Sequence, residues 1–203
     1  MTFLKTLLVK YVMYIVLGVF CFSSANGATY NRLYGIESLS SNLISSICQD
    51  SQGYIWIATE YGLNRFDGVY FTQYYADGVE GLANNDVSKL LAVDDFIYVM
   101  MYSKLQVYSI KENRFYDIDV KGNQPPKFKE ILKTPNGDIW LINSAFGVWQ
   151  VDNETLTASP VESINRSFKM PPVGGARMDS SNRLWINTST GTLIMFDVAN
   201  GNS

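Results

Sequence analysis

The sequence predicts an all-β fold of the β-propeller kind, with about four blades present, and three observations carry that prediction. A turn–strand–turn–strand unit recurs four times along the chain. The recurrences are spaced at 42, 42 and 45 residues, measured from Trp56 to Tyr98, Trp140 and Trp185. A period of roughly 40–45 residues built from short strands is the length of one propeller blade. Finally, 47% of the 203 residues are hydrophobic and only 17% are charged, so there is enough apolar material for a packed core.

The clearest copy runs from Gln49 to Asp67. Asp50 to Gly53 is turn chemistry, in which a short polar side chain bonds the backbone and glycine accepts positive φ. Tyr54 to Ala58 is a short run rich in aromatic and β-branched residues, which reads as a strand covered on both faces. Glu60-Tyr61-Gly62 turns the chain, and Leu63 to Phe66 leads to a further turn at Asp67-Gly68. Weaker or stronger versions return at Val93–Met100, at Thr134–Ile142 followed by Phe146–Trp149, and at Asp179–Asn187 followed by Thr190–Leu193. The repeats are placed near 43–76, 86–119, 128–161 and 174–203.

The other elements follow in order. Residues 1–27 read as a signal peptide: Lys5 and Lys10 supply charge, Tyr11 to Phe22 is an apolar run of 12 residues, and Ser23-Ser24-Ala25 or Ala25-Asn26-Gly27 supplies a small-residue cleavage site. Such a run is short of the roughly 20 residues that span a bilayer. The remainder, 28–203, is assigned to the propeller. Tyr30 to Tyr34 has the spacing of an edge strand. Tyr70 to Tyr75 is the outer strand of blade one, and Leu105 to Ser109 with Arg114 to Ile118 completes blade two. Pro125-Pro126 makes the connector to blade three extended. Leu156 to Val161 closes blade three, and Met170 to Gly175 leads into blade four, which has three strands by Asp197. Either Tyr30 to Tyr34 supplies its fourth strand and closes a small ring, or the blades belong to a larger propeller. Unpaired edges favour the larger one.

Composition also excludes chemistry. The chain has no histidine, which removes the Ser-His-Asp triad, the Cys-His dyad and imidazole metal sites. The net charge is -3, and -5 once Lys5 and Lys10 leave with the leader, so there is no electrostatic footprint for nucleic acid or anionic lipid. Cys48 is the one cysteine beyond the leader and reads as a small buried hydrophobe on an inner strand. Asp94-Asp95 and Asp117-Ile118-Asp119 read as solvated turn acids, because a calcium site takes six or more oxygens from a defined loop. No catalytic, metal or cofactor residues are assigned. Tyr61, Tyr102, Phe146 and Asn143 are loop side chains of the type that hold sugars, and each serves equally well in ordinary blade packing.

The pattern Asp50-x-x-Gly53-x-x-Trp56-Ile57-x-Thr59-x-x-Gly62-Leu63-Asn64-Arg65-Phe66-Asp67-Gly68 resembles the two-component regulator propeller repeat. The segments Leu39-Ser40-Ser41-Asn42-x-Ile44 and Gly81-Leu82-Ala83-Asn84-Asn85-x-Val87 resemble the lead of the same repeat. Blade two departs from it, lacking the first-turn glycine and carrying Lys104 where Gly62 sits. A leader followed by such repeats is similar to the start of bacterial hybrid two-component sensors. The resemblance implies a periplasmic part with two seven-bladed propellers and a β-sandwich, then a membrane helix, a histidine kinase, a receiver and a DNA-binding module. It further implies an oligosaccharide ligand, self-association of the full-length receptor, and a membrane anchor outside this stretch. The alternatives from other classes are a free periplasmic propeller acting as a protein-interaction scaffold, and a polysaccharide lyase or glycosidase. Lyases on propellers generally use histidine and a metal, and the sialidase Asp-box has a different spacing, with Asp and Gly two apart. The expectation is therefore a sensory module with no catalysis in this chain.

Overall fold

The computed structural model describes residues 39–76, 81–102, 104–121, 127–143, 147–167 and 169–198. The leader and the segment from Tyr30 to Tyr34 lie outside the described residues. Among the described residues, sixteen strands form four sheets that follow one another along the chain, antiparallel except for one parallel pair in the third, and one short helix accompanies them.

Blade one is β1 (Ile44–Gln49), β2 (Ile55–Thr59), β3 (Gly62–Phe66) and β4 (Phe71–Tyr74), paired in that order. Blade two is β5 (Val87–Val93), β6 (Phe96–Met101), β7 (Leu105–Ser109) and β8 (Arg114–Asp117). Next comes β9 (Asp119–Val120). Blade three is β10 (Glu130–Lys133), β11 (Ile139–Asn143), β12 (Gly147–Asp152) and β13 (Thr157–Pro160). The helix α1 (Glu162–Ser167) leads to blade four, which is β14 (Val173–Met178), β15 (Arg183–Thr188) and β16 (Leu193–Asp197). The all-β prediction holds, and the sheets are the repeated modules read from the sequence.

Turn chemistry explains the strand boundaries. Between β3 and β4, Asp67 Oδ1 accepts from the backbone N–H groups of Val69 (2.7 Å) and Tyr70 (2.6 Å). Between β12 and β13, Asp152 Oδ1 accepts from Glu154 (2.9 Å) and Thr155 (3.1 Å). Both carboxylates replace hydrogen bonds that a tight turn leaves open. The first hairpin of blade two has only Asp94 and Asp95 between the paired Val93 and Phe96, with Asp94 at φ 52°. That short turn accounts for the missing glycine in this copy.

Three differences from the sequence reading have local causes. The strand expected to reach Ile118 ends at Asp117, because Asp119-Val120 turns away and adds a parallel fifth strand to the outer edge of blade three, pairing with Thr157 and Ala158. The connector before blade four contains α1, whose Ile164 packs into the core between blades three and four. Asn165 of α1 acts as a strand extension, its Oδ1 accepting from Val148 N–H (2.8 Å) and its Nδ2 donating to Val148 C=O (2.9 Å). Finally, β2 is not covered on both faces. Trp56 and Ala58 are buried against blade two, while Ile55 and Ile57 are half-buried on the opposite face.

The core consists of three seams. Trp56, Ala58 and Leu63 of blade one meet Leu90, Ile97 and Val99 of blade two. Tyr98, Met100 and Val107 of blade two meet Ile131, Leu141 and Trp149 of blade three. Leu132, Trp140 and Ile142 of blade three meet Ala176, Leu184 and Ile186 of blade four. Among the described residues no apolar cluster joins blade four to blade one. The outer faces of these two blades remain partly exposed, with Ile47 at 59% and Leu193 at 65%.

Gly147 is constrained by Asn165. It sits at φ +78°, and a Cβ placed on it would come 2.1 Å from Asn165 Oδ1. Gly147→Ala is expected to lower stability by about 2–3 kcal/mol through left-handed strain and the lost Asn165 bonds. Urea unfolding followed by circular dichroism measures this, with Gly68→Ala as the comparison, since a Cβ at Gly68 meets nothing within 4 Å despite a φ of +99°.

Candidate functional site

The first strand of every blade faces the axis, so β1, β5, β10 and β14 together line a cleft of about 650 Å³. Ser46, Lys89 and Glu130 occupy one level of it, and Gly175 holds the same register position on β14, these residues being opposite Ala58, Met100, Ile142 and Asn187, each two residues past the motif aromatic. These side chains link successive blades. Leu90 N–H donates to Ser46 Oγ (3.1 Å), Lys89 Nζ donates to Glu130 Oε1 (3.0 Å), and Arg177 Nη1 donates to Glu130 Oε2 (3.3 Å). The Glu130 side chain is only 6% exposed. A carboxylate at that depth requires its cations, since an unpaired buried charge is strongly destabilising. Gly175 leaves the space it occupies: a Cβ there would lie 2.7 Å from Asn187 Oδ1 and 3.5 Å from Glu130 Oε1.

Around the cleft the repeat motif fixes each blade. In blade one the buried Asp50 accepts three hydrogen bonds: from Trp56 Nε1 (2.7 Å), Gln52 N–H (3.0 Å) and Tyr54 N–H (2.9 Å). Blade four repeats this, with Asp179 accepting from Trp185 Nε1 (2.9 Å), Ser181 N–H (2.9 Å) and Arg183 N–H (3.0 Å). The Asp179 carboxyl is held down at about 2, first by the Trp185 indole and also by the backbone N–H groups and Arg183. Blade three has Thr134 in this place. Its hydroxyl accepts from Asp138 N–H (3.0 Å) but does not reach the indole, and Trp140 Nε1 is buried without a partner. In blade two Tyr98 instead sends its hydroxyl across the seam to Asn153 Oδ1 (2.6 Å). The motif residues thus act in turns and seams.

Tyr61 and Tyr102 are exposed on the β2–β3 and β6–β7 turns, which lie at the same end of their blades. Lys127 Nζ lies 3.9 Å from the Tyr102 ring centroid and also bonds its hydroxyl, and the buried Asn143 donates to the Lys127 carbonyl. Tyr102 and Asn143 are thereby brought together, while Tyr61 packs against Tyr75 within blade one (ring centroids 5.9 Å). Phe146 lies outside the described residues. Asp117 is engaged by Lys104 Nζ (2.8 Å) and Gln106 Nε2 (2.9 Å), contacts that lower its pKa, Lys104 contributing most. Asp119 pairs with Lys121 (3.0 Å). Among the described residues no three His, Cys, Asp or Glu side chains are grouped to hold a metal ion.

Cys48 is half-buried on β1 and lines the cleft. Burial, with a smaller contribution from the negative Asp50, pushes its thiol up to about 12. The column Lys89–Glu130–Arg177 went unnoticed in the sequence. Its signal is a charged residue in each of three inner strands, eight to ten residues ahead of the motif aromatic.

Three outcomes test this geometry. Asp50→Ala is expected to cost about 2–4 kcal/mol in urea unfolding, since it leaves a buried indole N–H and two turn amides unpaired. Asp179 has a folded pKa below its unfolded value of 3.8, so its contribution is full above about pH 4 and is lost as pH falls towards 2. The gap in urea midpoint between the native chain and Asp179→Asn is therefore expected to shrink over that window, and a gap independent of pH contradicts the assignment. Cys48 is expected to react with iodoacetamide at pH 8 far more slowly in the folded chain than in urea.

Comparison with known proteins places this geometry. Residues 38–61, which span the inner strand and motif hairpin of blade one, match the family model "Two component regulator propeller". A search of curated proteins found no match. Among solved structures, the extracellular domain of the hybrid two component system BT3049 of B. thetaiotaomicron is similar at a TM-score of 0.68 and 23% identity, over 84% of this chain and 25% of that one. The corresponding domain of BT4673 from the same organism gives 0.66 and 14%, over 86% and 27%. Virginiamycin B lyase from Staphylococcus aureus gives 0.54 and 16%, over 76% and 55%. The chain spans about a quarter of the two extracellular domains it resembles. The chain has a β-propeller fold similar to that of these extracellular domains, and its residues 38–61 match the two component regulator propeller repeat.

Proposed function

We propose that this chain is the extracytoplasmic sensory propeller of a hybrid two-component regulator, and that its ligand is an oligosaccharide. The observation that carries the reading is the regulator repeat at 38–61, seated in a seam-forming hairpin of a fold shared with such extracellular domains. The apolar leader before the repeats supports export. Among the described residues no helix is long and apolar enough to cross a membrane.

A ligand shifts a two-state ectodomain only by its difference in affinity between the states. Tenfold tighter binding to one state moves the equilibrium by about 1.4 kcal/mol, and a hundredfold by about twice that. Nothing in this mechanism needs a nucleophile or a base, which suits a chain without histidine.

Calorimetric titration of the purified chain against a panel of neutral and acidic oligosaccharides is expected to give at least one saturable, one-to-one interaction, with the sugar recovered unchanged. Cleavage of a panel member would favour the lyase reading. A panel in which every member fails to bind would remove the oligosaccharide from the proposal.

A further inference from the structure

The structure assigns an oxyanion-binding site to the axial cleft, formed by Lys133, Arg177 and Lys89 around the buried Glu130, for a ligand bearing a carboxylate or sulfate group. This goes beyond the oligosaccharide reading and, where the anion is carried by a sugar, rests on it.

The electrostatics point one way. The chain as a whole has a net charge of -3, yet the charged side chains lining this cleft are three cations against one carboxylate. An anion entering a cleft with such a lining meets a favourable field inside an otherwise acidic molecule. The carboxylate is also fully engaged. Lys89 Nζ bonds one of its oxygens at 3.0 Å and Arg177 Nη1 the other at 3.3 Å, and its side chain is 6% exposed. Glu130 therefore works as an internal anchor that fixes the two cations from neighbouring blades, and it presents little surface to repel a ligand.

Donor capacity remains on the open side. The Arg177 side chain is 75% exposed, and its bonds to Glu130 and to the Ala176 carbonyl both use Nη1. Its Nε and Nη2 have no protein acceptor among the described residues, and a guanidinium presents such donors in a planar fork that matches a carboxylate or sulfate. Lys133, one strand position past Leu132 on β10, is exposed and lines the same cleft, with no ion-pair partner among the described residues. The cleft volume of about 650 Å³ accommodates a small sugar-sized anion.

Thermal unfolding and calorimetry of the full chain test the site, with sodium sulfate against sodium chloride at equal ionic strength, and glucuronate against glucose. Sulfate and glucuronate are expected to raise the melting temperature and to bind saturably, whereas chloride and glucose do neither. Arg177→Gln and Lys133→Gln, both at exposed side chains, are each expected to weaken binding about tenfold, with the circular dichroism spectrum unchanged. A melting temperature that responds equally to sulfate and chloride overturns the site, as does an affinity unaltered in both variants. Binding of sulfate without any oligosaccharide keeps the site and removes the sugar ligand. Binding of neutral oligosaccharides only, with no response to either anion, keeps the sugar ligand and removes the site.

Discussion

Each blade is held to the next by a large aromatic side chain on its second strand, pressed into the seam by the following sheet. Trp56 shows the joint most completely. It is fully buried, its ring centroid lies 5.6 Å from that of Tyr74 and 4.9 Å from that of Tyr108, and its one polar atom is satisfied by Asp50. Loss of such a ring from a packed interior costs about 3–5 kcal/mol. The other seams are variants of this one. Tyr98 trades the aspartate for Asn153 on the next blade, and Trp140 is buried with its indole nitrogen unpaired. The repeat thus tolerates chemical variation at the polar end of the ring, while the apolar body stays in place.

A second set of contacts runs nearer the axis and is polar. The bulky seams fix how far apart the sheets stand, and the side chains of Ser46, Lys89, Glu130 and Arg177 bridge the inner strands at one level. Because the inner strands are the closest points between blades, a charge placed there is shared by neighbours rather than solvated alone. The same closeness explains why Gly175 stands at this level in blade four, where a side chain would press on Asn187 and Glu130. The cleft's chemistry is therefore a consequence of how the blades approach, and a shift at one seam moves the cations from two strands at once.

Much of this was legible in the sequence because the repeat is printed four times. The aromatic of the second strand and the strand that follows recur at near-constant spacing, so the all-β class and the repetition could be read directly. The joining of Asp119-Val120 to blade three could not be read, since two residues carry too little periodicity to choose a sheet. The helix around Ile164 and Asn165 was equally hidden: Asn165 is held by Val148, a tertiary contact 17 residues away. The charged residues of the cleft were missed for a different reason. Lys89, Glu130 and Arg177 lie some 40 residues apart and look like scattered surface charges until the blades are superposed. Of the loop residues singled out for sugars, Tyr102 and Asn143 are joined through Lys127, which no local pattern marks.

If the blades stack as described, the depth to which the next blade buries an indole sets its protection, beyond any hydrogen bond that it makes. Hydrogen exchange at the four indole N–H groups of the whole chain, followed by nitrogen–proton correlation spectra, measures this directly. Slow exchange is predicted at Trp56, Trp140 and Trp149, which are buried in seams, with much faster exchange at Trp185, which keeps its Asp179 bond but is only half-buried. Equal protection of Trp56 and Trp185, or early exchange at Trp56 while the sheets persist, would contradict the stacked-blade account.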